Sequence, residues 1–248
     1  MQFASLFLIR GLKTSANHCL KQGPSSIFGK SSTTLYSHVA QIGDPVLRKV
    51  SQPVNIDRIS SSEIQNIIKQ MRIMLKKYEA FGISAPQIGV PLRMFALQVT
   101  ENQRDRGMEE IPFKVFINPE IKYIGNEVTV AKESCTSING FVADVSRHKC
   151  VNVSYYDENG NLLSLDAKYW SARLIQHEID HLNGILFTDK MHTPESLEFK
   201  YWKMVNSKNG DFRLPFGGLP GWKQYYYCIP ILMIIPLLLG FEIYNMFY

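Results

Sequence analysis

Cysteine is scarce in this chain. Cys19, Cys135, Cys150 and Cys228 are the only four in 248 residues, too few and too scattered for a disulfide-stapled secreted scaffold. No internal repeat is present, which excludes a solenoid or propeller. Long uncharged apolar runs are missing too, apart from one near the C-terminus, so a polytopic membrane protein is excluded. With 45% hydrophobic and 20% charged residues, the chain is neither wholly disordered nor collagen-like.

Acidic residues are absent from positions 1–43, which carry Arg10, Lys13, Lys21 and Lys30. Removing those four from the 27 basic residues leaves 23 against 22 acidic ones over 44–248, a net of +1. Four of the five net positive charges therefore belong to the N-terminus. The nearly neutral body lacks the basic footprint of phosphate-backbone binding, so no direct nucleic-acid binding is expected.

The same N-terminal stretch is rich in Ser and Thr. Basic, hydroxyl-rich and acid-free is the composition of an organelle transit peptide. The apolar Phe3–Ile9 precedes Arg10, the wrong order for a secretory signal. Residues 1–39 are therefore expected to form a mitochondrial transit-like segment, against the plainer reading of a disordered tail. At the other end, residues 206–224 are Gly- and Pro-rich and read as a linker. Residues 225–248 form an apolar tail whose uncharged core, Cys228–Phe241, spans about 21 Å as a helix, short of a bilayer core of about 30 Å. Pro230 and Pro236 weaken a regular helix there. An anchor, a segment packed on the body or on a membrane surface, and sequence outside the functional fold remain three open readings, and with them any membrane contact through 225–248.

Between the tails, Asp44–Pro53 reads as extended. Ser60 to Glu63 matches a capping box, and Ile64, Ile67, Ile68, Met71, Met74 and Leu75 follow at helical spacing. That helix is expected to end near Gly82, a residue that accepts left-handed backbone angles. Strands are expected at Met94–Val99, Lys114–Ile117, Glu127–Ala131, Val151–Tyr156 and Leu162–Leu165, the last two joined by a turn at Asn159-Gly160. Residues 102–111 read as a solvated loop. A second helix is expected from Ser171 to Leu182, closed by Asn183-Gly184. The class is α+β: a single domain over 40–205, of mostly antiparallel strands packed around a central metal-binding helix.

That helix holds His177-Glu178-Ile179-Asp180-His181. Residues four apart on a helix differ by about 40° around its axis, so both imidazoles face one point, as two ligands of one metal must. Glu178 lies on an adjoining face, where a carboxylate can act as general base without binding the metal. A charged surface helix would match by chance, but Ile175, Ile179 and Leu182 place the helix in the core. The third ligand is open from the residues alone: Glu195, Glu198 or Cys135, although a lone cysteine is more often a small buried core residue. Gly82 to Gln87 allows close backbone approach and offers the Gln87 amide to an oxyanion. By itself it is also an ordinary Gly/Pro turn.

Taken together, AFGISAPQ (80–87), ESCTS (133–137) and QHEIDH (176–181) resemble the peptide deformylase family, whose motifs G-x-G-x-A-A-P-Q, E-G-C-x-S and Q-H-E-x-D-H occur in this order. GDPVLR (43–48) and HLNGILFTDKM (181–191) are similar as well. Ser84 and Trp170 resemble the animal mitochondrial branch. The resemblance covers about residues 40–205 and implies one divalent metal, Fe(2+) or Zn(2+), held by Cys135, His177 and His181. It implies Glu178 as the proton-transfer group and oxyanion donors in the Gln87 amide and the Thr136 backbone N–H. It further implies strand-like substrate pairing at Gly82, Trp170 as a wall of the methionine pocket, and Asp180 behind the ligands. The substrates implied are N-formylmethionyl nascent peptides met near the ribosome, in the mitochondrial matrix or at the inner membrane. Ala80 and Ser134 stand where the family has glycine, which is unstrained only if their φ angles are negative. Two alternatives accompany this reading: a zinc endopeptidase that dispenses with Cys135, and a silent deformylase-like protein that binds nascent peptides.

Overall fold

A computed structural model describes residues 35–103 and 108–207. The expectations for the first 34 residues, for most of 206–224 and for all of the tail lie outside the described residues.

The first long helix, α1, spans Ser62–Tyr78. Its cap is Ser61, whose side chain accepts from the Ile64 N–H, one residue later than the expected box. The Glu63 carboxylate is instead taken by Arg58 at 2.8 Å. All six residues of the expected apolar stripe are buried. The helix ends before Gly82, because Glu79 adopts the left-handed conformation at φ 51° and its N–H returns to Leu75 O. Gly82 is thereby free to open strand β1 (Gly82–Ser84).

The remaining strands are β2 (Met94–Val99), β3 (Ile111–Tyr123), β4 (Val128–Cys135), β5 (Ile138–His148), β6 (Cys150–Tyr156), β7 (Leu162–Lys168) and β8 (Glu198–Phe199). They form a five-stranded sheet in the order β1-β2-β3-β6-β7 and a three-stranded sheet in the order β4-β5-β8, with antiparallel pairing throughout. The expected turn joins β6 to β7, with Gly160 at φ 84°. Strand β5 is an element that the sequence did not announce. Its burial alternates as a half-buried strand requires, but Gly140, Ala143 and Ser146 dilute the hydrophobic alternation that would have marked it.

Helix α2 (Tyr169–Leu182) runs through the molecule's centre. Its apolar face, with Ala172, Ile175, Ile179 and Leu182, packs on Phe95, Leu97, Phe116, Val151, Val153 and Tyr155 of the five-stranded sheet. Its polar face meets the three-stranded sheet through Arg173, His177, Asp180 and His181. Asn183 caps the helix and Gly184 follows at φ 72°, as expected. A short α3 (Trp202–Ser207) runs across the expected domain end at 205. At the other end, Tyr36 N–H donates to Ile88 O at 3.0 Å and Val39 is buried, so the body starts inside the segment expected to be transit-like. No described helix is long and apolar enough to cross a membrane.

Candidate metal centre and active site

Helical periodicity sets the first two donors. The His177 and His181 rings lie 5.0 Å apart, nearly perpendicular. The third comes from the end of β4, where the pairing with β5 is irregular between Glu133 and Cys135. Such an irregularity re-aims a side chain, and Cys135 Sγ reaches 3.2 Å from His181 Nε2. Cys135, His177 and His181 present ligand atoms all within 4.8 Å of one another. Tetrahedral zinc sites place sulfur and nitrogen about 3.5 Å apart, so the cluster is of a size to hold one ion. Glu195 and Glu198, the alternative third ligands, do not join it: Glu198 pairs with Lys132 at 2.8 Å, and Glu195 is exposed.

The electrostatics suit the donors. Burial pushes the Cys135 thiol up, but the His181 and His177 imidazoles outweigh it and hold the group well below the ordinary thiol range. The thiolate is the form that ligates. His177 Nδ1 meets Glu133 Oε2 at 2.9 Å, which leaves Nε2 for the cluster. A carboxylate behind a ligating imidazole fixes its tautomer and raises its basicity.

Glu178 lies beside the cluster and is only 3% exposed. Burial pushes its carboxyl up to about 7, against the pull of the two imidazoles. Its Oε2 has no hydrogen-bond partner among the described residues, which leaves it available to a reacting molecule. Gln87 is fixed from behind: its Oε1 accepts from Ser84 N–H at 2.8 Å and from Ser84 Oγ at 3.1 Å. The amide NH2 therefore points forward, 3.3 Å from Thr136 Oγ1 and 3.1 Å from Ser137 Oγ. A cavity of about 490 Å³ brings together Gly82, Gln87, Cys135, Thr136, Trp170 and Glu178. Every site residue expected from the sequence is in that cavity or, like His181, in its metal-ligand cluster.

Residues 36–196 match the family model described as polypeptide deformylase. The chain belongs to this family. It is a hydrolase of the N-formyl amide. The human mitochondrial peptide deformylase is 39% identical over 180 residues, covering 69% of this chain and 74% of that protein. Among solved structures, the Met-Ala-Ser-bound deformylase of Acinetobacter baumannii is 28% identical with a TM-score of 0.60, covering 64% of this chain and 99% of that one. The actinonin complex from Synechococcus elongatus is 33% identical with a TM-score of 0.57, covering 74% and 91%.

In this deformylase the two departures from the family's glycines are harmless to the backbone. Among described non-glycine residues only Glu79, Asn118 and Tyr169 have positive φ, so Ala80 and Ser134 sit in conformations that any residue adopts.

Sequence reading missed the support behind the ligands. Glu133 accepts two bonds from Arg147, each 2.9 Å, and one from Arg173 at 2.7 Å. Burial raises its carboxyl, but the Arg147 and His177 hydrogen bonds overcome this and leave it far below the usual carboxylate range. Arg147 also binds Asp180, which accepts from Lys190 at 3.0 Å. Asp180 is thus linked to Glu133 through Arg147. The one available signal was Glu133 itself, inside the ESCTS motif. Its arginines come from β5 and from the turn of α2 before His177, with no spacing that links them.

Proposed function

We propose that this chain removes the formyl group from the N-terminal formylmethionine of newly made mitochondrial proteins, releasing formate. The convergence of Cys135, His177 and His181 beside Glu178 and a forward-pointing Gln87 amide carries this reading. One thiolate and two imidazoles suit Zn(2+) or Fe(2+). Such an ion supplies an acidified water and polarisation of the formyl carbonyl.

The chain's own groups do the rest. Glu178 accepts the proton of the attacking water and returns one to the departing amine. The Gln87 amide and the Thr136 backbone N–H donate to the oxygen that becomes negative. Strand β1 is at the edge of its sheet, so Gly82 presents backbone groups with which an extended substrate pairs. Trp170 walls the methionine pocket. Oxyanion and ligand placement serve a small formyl group, which favours it over bulkier amides.

The test is formate release from formyl-Met-Ala-Ser by protein purified anaerobically with ferrous iron, nickel or zinc. Turnover with bound metal is expected. Cys135→Ala should lose both the metal and the activity; an endopeptidase would keep its metal through a glutamate and cut internal bonds instead. Metal bound without formate release would sink the proposal in favour of a silent binder.

Location follows from two supports: the basic, hydroxyl-rich N-terminus and the mitochondrial human relative. We assign targeting to residues before Tyr36, the catalytic body to about 40–205 with flanking residues packed on it, and linker and tail to 206–224 and 225–248. A reporter carrying residues 1–35 should enter mitochondria; plastid or diffuse cytosolic signal would refute this.

A further inference from the structure

One cation of the active-site cavity is not used by the reaction. Lys200 lines the same cavity as Gly82, Gln87, Cys135 and Glu178. It follows β8, which is laid across β5 with Phe141 opposite Phe199 and Val142 opposite Glu198. The Lys200 N–H donates to Gly140 O at 2.8 Å. Gly140 has φ +87°, and a Cβ there would stand 3.0 Å from Phe199 Cε2, so the strap lies close on the strand. Phe199 packs between Phe141 and Tyr201, at centroid distances of 5.4 and 5.5 Å. The lysine is thus carried by an ordered support and not by a free loop.

Among the described residues its charge has no counter-ion. The carboxylate on its own strap, Glu198, is occupied by Lys132 and by Trp202 Nε1, each at 2.8 Å. Of the other carboxylates lining the cavity, Glu133 is held by Arg147, Arg173 and His177, and Glu178 is buried beside the metal cluster. Glu79 forms no described ion pair with Lys200. Burial lowers the Lys200 pKa, with no neighbouring carboxylate opposing the shift. Lys200 nevertheless remains exposed to solvent, and an exposed ammonium on the wall of a peptide-binding cavity gains modestly from an anion that arrives with the ligand.

We propose that Lys200 is a specificity-determining residue that favours formylmethionyl peptides with an acidic side chain in the residues just after the methionine. This rests on the deformylase reading and adds a preference among its substrates.

The test uses the full chain and amide-capped peptides, which have no terminal carboxylate: formyl-Met-Glu-Ala-Ser and formyl-Met-Ala-Glu-Ser, each beside its Gln counterpart. The Glu/Gln ratio of kcat/KM at low salt should exceed one at one of the two positions. Lys200→Ala should lower that ratio by roughly two- to fivefold, and Lys200→Glu should bring it below one. Ratios equal in all three proteins overturn the proposal. So does a Lys200 effect confined to uncapped peptides, since the lysine would then read only a chain terminus. No turnover of any peptide by the unaltered protein, Gln forms included, would sink the deformylase reading and this one with it.

Discussion

Glu178→Gln should keep its metal and lose turnover by roughly 10²- to 10⁴-fold, the range that positioned proton transfer contributes. Glutamine preserves the shape of a side chain that is 3% exposed, so the fold and the Cys135, His177 and His181 cluster should persist. What disappears is the ability to take a proton and give it back. Metal analysis beside formate release separates the two effects. Activity within tenfold of the unaltered protein would exclude Glu178 as the proton-transfer group. The pH profile gives a second reading. Glu178 must be ionised to accept a proton, and burial places its pKa at about 7 without the ion. A neighbouring divalent cation favours the carboxylate and moves that value down. The acid limb of kcat/KM in the loaded enzyme should therefore lie below pH 7 and be absent from the residual activity of Glu178→Gln.

Gly82→Ala should lower kcat/KM by about 10²-fold, the loss expected when a reacting group is misplaced by about an ångström. The reason is steric. A Cβ on Gly82 would overlap Glu178 Oε1 and stand 2.8 Å from the Glu178 carboxyl carbon and 2.9 Å from Leu97 Cδ2. Gly82 has no positive φ, so the methyl adds no backbone strain, and circular dichroism should show a folded protein. Since the damage passes through Glu178, the two substitutions should not add: Glu178→Gln with Gly82→Ala should be about as slow as Glu178→Gln alone. A Gly82→Ala protein with full activity would mean that Glu178 can leave this contact without consequence, contrary to the placement argued here.

The parts of the site legible in the chain were the local ones. His177, Glu178 and His181 are related by helical geometry, which depends on nothing outside α2. The Ser84 to Gln87 arrangement is a single 3-10 turn (Ala85–Ile88) whose capping pairs neighbours. Cys135 was different. Spacing left it level with two glutamates, and only its motif context favoured it before the irregular pairing of β4 with β5 brought it to the histidines. Helix ends were read with an error of physical origin. Gly82 looked like a terminator because it tolerates left-handed angles, yet Glu79 took that conformation and Gly82 serves to let Glu178 approach.

By itself the sequence marked the two clustered histidines with their neighbouring carboxylate, the apolar faces of both long helices, the α+β class and the family. Each of these rests on periodicity or on contiguous motifs. Tertiary structure alone decided that Glu133 braces His177, that Arg147 and Arg173 hold Glu133, and that Lys200 lines the cavity beside Glu178 with no counter-ion among the described residues. Those contacts join β4, β5, α2 and the strap after β8. They depend on strand register and on how sheet and helix pack, and neither quantity is encoded in any window of neighbouring residues.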